Sequence, residues 1–340
     1  MNETDQARLS DWLRANVAGF RGGACLQPLA GGQSNPTYRV DAGEHRWVLR
    51  RKPPGVLLAS AHAVDREYRV MAALAGTDVP VPRVHALCED PAVIGSTFVV
   101  MDLVEGRVFV DPSLPGMAPS ERDAIYAAMA RTLAAIHCVD VAAVGLSGHG
   151  KPQNYLTRQI ERWTRQYRAS ETERIEAMER LIEWLPAHLP PGLDDEPGTL
   201  VHGDYRLDNL IFHPTEPRVL AVIDWELSTL GHPLADLAYH LMAWRVTPDE
   251  FRGLKGHDLS ALGIPDEAAH VGHYLAAGGR APGAHLDVLM AFNMFRMAAI
   301  LQGILARSLQ GNAAAADART TGERARRMAE AGWRQAQAHA

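Results

Sequence analysis

The first hundred residues alternate short strand-like runs with one amphipathic helix. TYRV and RWVLRR, residues 37–40 and 46–51, are short strand-like runs with turn-forming residues between them. Residues 60–75 instead repeat apolar positions at helical spacing, and Glu67 falls inside their apolar arc. The segment therefore predicts a helix, and its apolar arc is an odd place for an unpaired charge.

The rest of the chain is dominated by helical spacing. Apolar residues recur every three or four positions over 154–168 and 172–185, and Pro233 marks the start of another helix. Ser120, followed three positions later by Asp123, resembles a capping box and predicts a helix that begins at Ser120. These patterns indicate a mostly β first part followed by a mostly α second part.

The most apolar segment, residues 284–306, is long enough to cross a membrane. Asp287, Asn293, Arg296 and Gln302 interrupt it, however, and placing this set of side chains in lipid would cost several kcal/mol. The segment therefore predicts a buried core helix, within which Arg296 must find a partner.

Composition and charge exclude several classes of protein. The chain has 340 residues, 22% charged and 47% hydrophobic, which is typical of a globular protein of one or two domains. A net charge of −6 gives no basic field for nucleic acid or acidic lipid, so we expect neither partner. Three widely spaced cysteines argue against a disulfide framework, and the first twenty residues, which read as an amphipathic helix, lack signal-peptide features. We therefore expect a cytoplasmic location.

The candidate chemistry lies in LVHGDYRLDNLIFHPTEPRVLAVIDWE, residues 200–226. Asp204 precedes Asn209 by five positions. Asp224 ends the strand-like run VLAVID, residues 219–224. This arrangement is typical of phosphotransfer, in which the first aspartate takes the proton of the attacking hydroxyl. Asparagine and aspartate oxygens suit Mg²⁺ held against nucleotide phosphates. A metal-hydrolase cluster built on His202 and the aspartates is the alternative.

The same residues resemble the aminoglycoside phosphotransferase and choline kinase family of protein-kinase-like enzymes. Its catalytic loop reads H-G-D-x-x-x-x-N and its metal-binding strand ends in a D-W/F-E type motif, as at residues 202–209 and 224–226. The resemblance implies an α+β bilobal fold with a small antiparallel-sheet N-terminal lobe, residues 1–104, and a helical C-terminal lobe, residues 105–340. A cleft between the lobes would take ATP and Mg²⁺.

The resemblance also implies roles for individual residues. Asp204 would be the catalytic base, and Asn209 and Asp224 the metal ligands. Arg206 would stabilise charge on the transferred phosphate. His202 would support the loop, Asp236 would brace it from the following helix, and Asp208 is interpreted as a solvated or loop-bracing side chain rather than a metal ligand.

On the nucleotide side, a glycine turn and a basic strand are the candidate phosphate contacts. Gly31 and Gly32 allow close backbone approach, and Ser34 and Asn35 add donors, although a plain hairpin turn is the alternative. The family resemblance aligns Arg50 with the phosphate-contacting base and Glu67 with its partner, and leaves Lys52 as a competitor. Adenine would bind the backbone near Met101 and Leu103.

The acceptor is the least defined part of the prediction. The sequence is closest to the phosphotransferase domain associated with acyl-CoA dehydrogenases, which implies a small-molecule hydroxyl acceptor of the hydroxyacyl-CoA type. An aminoglycoside, choline or homoserine kinase and a nucleotide-binding pseudokinase or scaffold are the alternatives. Arg296 would either pair with an acid or line an anionic acceptor pocket.

Overall fold

The computed structural model describes residues 3–29, 35–43, 45–53, 63–311 and 318–339. The chain divides into two compact units. The first comprises Met1–Arg107 and Leu210–Leu227, and the second comprises Val108–Asn209 and Ser228–Ala340. The predicted lobes are continuous segments on either side of residue 104, whereas residues 210–227 group with the first unit.

The strands of the described residues are β1 Cys25–Pro28, β2 Thr37–Ala42, β3 His45–Arg51, β4 Val84–Cys88, β5 Phe98–Asp102, β6 Thr199–Val201, β7 Leu210–Phe212, β8 Val219–Val222 and β9 Thr229–Gly231. The helices are α1 Glu3–Asn16, α2 Val64–Leu74, α3 Pro91–Ile94, α4 Pro119–His137, α5 Tyr155–Ala169, α6 Glu176–His188, α7 Pro233–Arg245, α8 Pro248–Phe251, α9 Leu259–Leu262, α10 Glu267–Ala276, α11 Leu286–Leu309, α12 Ala318–Gly322 and α13 Ala325–His339.

The first unit is built on an antiparallel sheet of five strands in the order β1-β2-β3-β5-β4. One face carries α1, whose Leu9 and Leu13 are buried together with Trp47 of β3. Central β3 places Arg50 opposite Thr37 of β2 and Val99 of β5. The sheet therefore fixes the position of Arg50 from both sides.

A short hairpin completes the first unit. Strand β7 pairs with β8, and the backbone N–H of Val222 at the end of β8 donates to Pro80 O at 2.8 Å. The 3₁₀ turn Trp225–Leu227 that follows packs against α2. This packing brings the acidic residues after β8 to the helix that carries Glu67.

The second unit is helical around α11. Helix α11 contacts α5, α6, α7, α12 and α13, and the short strands β6 and β9 pair beside α4 and α7. By length and composition α11 could cross a membrane, but 83% of its most apolar window is buried inside the protein. It is a core helix, as its interrupting polar residues predict.

The start of α4 differs from the prediction. The helix begins at Pro119 with Ala118 as its N-cap, and no side chain caps it. Proline at the first helical position has a backbone dihedral suited to a helix start and lacks an N–H that would need a partner there. Proline therefore accounts for the helix start in place of the expected Ser120 capping box.

Candidate functional site

The first unit brings together the residues predicted to contact phosphate and metal. Arg50 Nη2 lies 3.1 Å from Glu67 Oε1 and 2.5 Å from Asp224 Oδ1. Glu67 is only 1% exposed, so its charge on the apolar side of α2 is explained by this pair. The structure thus contains the Arg50–Glu67 pair that the sequence predicted.

Lys52, the competitor of Arg50, lies elsewhere. Its Nζ pairs with Asp65 Oδ1 at 2.9 Å, and both side chains are partly exposed. Lys52 follows the end of β3 and contacts the first turn of α2 rather than its buried face. Of the two bases, it is Arg50 that contacts Glu67 and Asp224.

Asp224 has a left-handed backbone conformation, with φ of 67°. This conformation is uncommon for a residue with a side chain and indicates that its surroundings hold it in place. Trp225, fully buried, supplies that support by donating from Nε1 to Val222 O at 3.0 Å. The indole and the end of β8 together direct the carboxylate of Asp224 toward Arg50.

Glu226 extends this cluster, although the sequence analysis gave it no role. Asn35 Nδ2 donates to Glu226 Oε2 at 3.0 Å. Oxygen atoms of Glu67, Asp224 and Glu226 lie within 4.8 Å of one another, a grouping that suits a hard cation. Three carboxylates against one guanidinium leave an excess of negative charge, so the residues present fit Mg²⁺.

Burial and charge act on the ionisation of this cluster. Burial, with Asp224 and Glu226 nearby, raises the pKa of Glu67 to about 8 despite the opposing effect of Arg50. Burial alone would lower the pKa of Arg50, but Glu67, Asp224 and Glu226 raise it. Arg50 therefore stays charged, and a cation beside the carboxylates would favour the ionised form of Glu67.

Other residues predicted on the nucleotide side have mixed outcomes. Gly31, Gly32 and Ser34 lie outside the described residues, whereas Asn35 is buried in the acidic cluster. Met101 lies within β5 between β3 and β4, and the backbone N–H of Leu103 donates to Arg46 O at 3.4 Å. Adenine binding near these two residues stays a prediction.

In the second unit, Asp236 holds the loop that carries the predicted base. Its carboxylate accepts from the backbone N–H groups of His202 at 2.7 Å and Gly203 at 2.9 Å. His137 Nε2 lies 3.3 Å from the same carboxylate, and Tyr274 OH lies 2.7 Å from His137 Nδ1. Although burial acts to raise it, the pKa of Asp236 is lowered by His137, His202 and these hydrogen bonds. The predicted bracing role of Asp236 is confirmed.

Asp204 is surrounded by donors from its own loop. Asn209 Nδ2 donates to Asp204 O at 2.8 Å and to Asp204 Oδ2 at 3.1 Å. Arg206 Nε lies 3.1 Å from Asp204 Oδ1. The five-residue spacing therefore forms a closed turn, in which the amide nitrogen of Asn209 is hydrogen-bonded to Asp204.

Asp208 is a bracing residue in the structure. It pairs with Arg252, whose φ of 43° is left-handed, and its Oδ2 lies 3.3 Å from Arg206 Nη2. Both guanidiniums lie over the ring of Phe251, at 5.9 Å for Arg206 and 5.8 Å for Arg252. Asp208, from the same loop, and Phe251, at the end of α8, thus orient Arg206.

The ion pair with an acid, one of the two alternatives for Arg296, is not present among the described residues, where its partners are a carbonyl and two rings. Arg296 does not line the cavity described next, and a place for it in an acceptor pocket stays a prediction. Its guanidinium donates to Gly203 O and lies between the rings of Trp163 and Tyr239, 5.4 and 5.1 Å from their centres. The buried charge is therefore stabilised by a carbonyl and two aromatic faces.

A cavity of about 60 Å³ adjoins the catalytic loop within the second unit. Its walls are mainly aromatic and aliphatic, with Asp208, Arg206 and Arg252 as its charged members. Val110, which is exposed, lies among the lining residues. The aromatic and aliphatic lining residues include Tyr126, Met129, Tyr205, Tyr239, Trp244 and Phe251.

Two residues of these clusters escaped the sequence analysis. The hydroxyl of Tyr239 donates a hydrogen bond to Asp204 Oδ1, and Glu226 joins the acidic cluster. Tyr239 lies in DLAYHL, one helical turn after Asp236, and this spacing to a recognised brace was the available signal. Glu226 was visible as the last residue of the D-W-E motif.

The arrangement of these elements defines a protein-kinase-like α+β fold with a small antiparallel-sheet lobe and a mostly helical lobe. The family model described as "Phosphotransferase enzyme family" matches residues 26–270, which is well over half of the chain. The chain belongs to this phosphotransferase family. Its relatives therefore include kinases that act on small molecules.

Individual relatives agree with this assignment. The mouse protein "Acyl-CoA dehydrogenase family member 10" is 51% identical over 305 residues, which cover 89% of this chain and 28% of the relative. A crystal structure from Ralstonia eutropha, with a provisional designation as an aminoglycoside phosphotransferase, is 53% identical, covers 98% of both chains and superposes with a TM-score of 0.88. Choline kinase from Cryptosporidium parvum, 12% identical, covers 97% of this chain and 95% of its own with a TM-score of 0.67, which shows the shared fold.

The curated relatives are much longer than this chain. The chain spans 28% of the mouse protein and 42% of "Probable acyl-CoA dehydrogenase IBR3" from Arabidopsis thaliana, which is 44% identical over 347 residues. Each of these names describes a whole protein, of which this chain matches one part.

Proposed function

We propose that the protein is a kinase that transfers the γ-phosphate of ATP to a hydroxyl group of a small molecule. The observation that carries this proposal is the closed turn of Asp204 and Asn209, held on Asp236 through two backbone N–H groups. A hydrolytic histidine–carboxylate site is disfavoured, because His202 Nδ1 accepts from the backbone N–H of Asp204 at 3.2 Å and is committed to the turn.

In this proposal Asp204 accepts the proton of the attacking hydroxyl. Arg206, charged and directed by Asp208 and Phe251, stabilises negative charge on the transferred phosphate. Arg50 contacts the nucleotide phosphates, and Glu67 holds it in place. The role of each residue follows from its charge and partners within its own unit.

Asn209 and Asp224 would hold magnesium, and the neighbouring carboxylates of Glu67 and Glu226 add to the negative potential that attracts it. When bound, the metal neutralises charge on the phosphates of ATP. The amide nitrogen of Asn209 is occupied by Asp204, so its oxygen is the ligand atom that remains.

The proposed acceptor is a hydroxyl compound of the hydroxyacyl-CoA type, acted on in the cytoplasm. Two observations support this choice. The relatives with 44–51% identity bear acyl-CoA dehydrogenase names. The cavity beside the catalytic loop is largely apolar, and its only acidic lining residue among the described ones, Asp208, is already paired with two arginines. Such a lining, in which Arg206 and Arg252 are the cationic members, disfavours polycationic aminoglycosides.

A panel of acceptors tests the proposal. ADP release from MgATP is measured with hydroxyacyl-CoAs, aminoglycosides, choline and homoserine, using the wild-type chain and Asp204→Ala. We expect turnover with a hydroxyacyl compound and a loss of about 10²- to 10⁴-fold in kcat for Asp204→Ala, the range for a general base. ATP binding without turnover for every acceptor would favour the pseudokinase alternative, and full activity of Asp204→Ala would overturn the assignment of the base.

A further inference from the structure

Tyr239 makes a contact with the proposed base that no motif predicts. It lies on α7 and is only 3% exposed, and its hydroxyl donates a hydrogen bond to Asp204 Oδ1. Asn209 occupies Oδ2 of the same carboxylate at 3.1 Å. Besides Arg206, which lies 3.1 Å from Oδ1, each carboxylate oxygen of Asp204 therefore has a neutral donor, one from the loop and one from the helix.

The hydroxyl of Tyr239 is suited to act only as a donor. Burial first, and then the nearby charge of Asp204, raise the pKa of Tyr239 well above its ordinary value. The phenol therefore keeps its proton at neutral pH. Since a buried hydroxyl without a partner is costly, the contact also confines the side chain of Asp204 to one orientation.

Arg296 ties Tyr239 to the backbone of the catalytic loop. Its guanidinium lies 5.1 Å from the centre of the Tyr239 ring and donates to the carbonyl oxygen of Gly203, the residue before Asp204. Trp163 covers the opposite side of the guanidinium at 5.4 Å. One buried cation thus fixes both the tyrosine ring and the peptide that carries Asp204.

We propose that Tyr239 is a positioning residue for Asp204, held in turn by Arg296. The inference rests on the proposed function. In the transfer step the acceptor oxygen bonds to the γ-phosphorus, the bond from that phosphorus to the bridging oxygen of ADP breaks, and the acceptor proton moves to Asp204. Tyr239 keeps its proton throughout. Its effect is to have the carboxylate in its reactive orientation before the acceptor arrives, and misplacement of a reacting group by a small distance slows turnover strongly.

The first test compares Tyr239→Phe with Tyr167→Phe. Tyr167 is a matched control, because it is fully buried in the same unit and its hydroxyl accepts only a backbone N–H, from Ile175 at 3.1 Å. ADP release from MgATP is followed with water as the acceptor and with the best acceptor of the panel. We expect Tyr239→Phe to lower kcat about tenfold to hundredfold, the equivalent of a hydrogen bond to a charged group, with KM for ATP unchanged. Tyr167→Phe keeps both parameters.

The second test asks whether Tyr239 acts through Asp204. Tyr239→Phe is combined with Asp204→Ala, and the residual rate of the double variant is compared with that of Asp204→Ala alone. We expect no further loss, because the group being positioned is gone. An equal loss in both backgrounds, or a change in KM for ATP with kcat preserved, would overturn the proposal and leave Tyr239 as a packing residue.

A readout without turnover separates this proposal from the proposed function. The unfolding equilibrium in urea is measured for the wild type, both single variants and the double variant. If the wild-type chain turns over no acceptor, the proposed function fails, and the coupling between Tyr239 and Asp204 still decides whether the contact exists. Coupling of about tenfold or more in the unfolding constant supports the contact. Additive effects would remove the basis of the proposal.

Discussion

The two units carry buried charge in opposite ways. In the first unit, Arg50 faces Glu67, Asp224 and Glu226, so that negative charge is in excess. In the second, the carboxylates of Asp204 and Asp236 are each met by several donors. Under the proposed function, the first cluster attracts a cation and phosphates, and the second holds one carboxylate in place.

The largest loss of stability should come from removing Asp236, which braces the loop of Asp204 in the second unit. Asp236→Ala leaves the backbone N–H groups of His202 and Gly203 buried without their acceptor, which costs about 1–3 kcal/mol for each group. We expect the free energy of unfolding to fall by about 3 kcal/mol. Urea unfolding of the variant and of the wild type at pH 7 measures this loss. A loss below 1 kcal/mol would mean that the loop does not depend on Asp236, and the contrast between the units would lose its basis.

A smaller effect should follow from changing the excess of negative charge in the first unit. Arg50→Met removes the only base that contacts Asp224 and Glu67 among the described residues, while Lys52→Met removes a partly exposed pair with Asp65. We expect Arg50→Met to weaken binding of a non-hydrolysable ATP analogue about tenfold to hundredfold, and Lys52→Met about twofold at most. Calorimetric titration in the presence of Mg²⁺ gives both affinities. The reverse order would assign the phosphate contact to Lys52.

The smallest effect concerns the acid sensitivity of the second unit. His240 Nε2 and His270 Nε2 are 2.8 Å apart and buried. Burial lowers the pKa of His240 to about 4, and burial together with His240 lowers that of His270 well below its ordinary value of 6.5. Below pH 6.5 the unfolded chain binds protons that the folded chain does not, so stability present at neutral pH is lost as the pH falls toward 4.

His270→Gln tests this reasoning. Each depressed histidine contributes at most about 1.4 kcal/mol per pH unit to the loss. We expect the variant to lose about 1 kcal/mol less than the wild type when urea unfolding is compared at pH 6 and pH 5. His257→Gln, at an exposed position of the same unit, should show the same change in unfolding free energy between pH 6 and pH 5 as the wild type. The same change in all three proteins would mean that His270 takes up a proton in the folded state as it does in the unfolded one.

Much of the fold and part of the site follow from local sequence. The helical spacing of 284–306 predicted the core helix α11, and the family resemblance, which accounts for a charge within the apolar arc of α2, predicted the pairing of Glu67 with Arg50. Polar groups are costly to bury, so their position in an apolar pattern carries information about partners far along the chain. The family resemblance likewise implied that Asp236 braces the loop that carries Asp204 and Asn209, and the structure contains these contacts.

Other features could not be derived in that way. Alternation predicted that Arg50 and Lys52 share a face, but β3 ends at Arg51, and the packing of α2 gives Arg50 the buried partner Glu67 and Lys52 the partly exposed partner Asp65. Arg296 was expected to meet an anion, but its guanidinium contacts a carbonyl and two rings from distant helices. Periodicity shows that such side chains are buried, and it does not show which neighbours they meet.

The sequence by itself determined the succession of strands and helices, the phosphotransferase motifs and the family, because periodicity and motif spacing are properties of short segments. The tertiary structure alone decided that Tyr239 contacts the proposed base, that Glu226 joins the acidic cluster, and that Arg296 supports the catalytic loop. These contacts join side chains from separate elements, and their geometry is fixed only when the elements pack together.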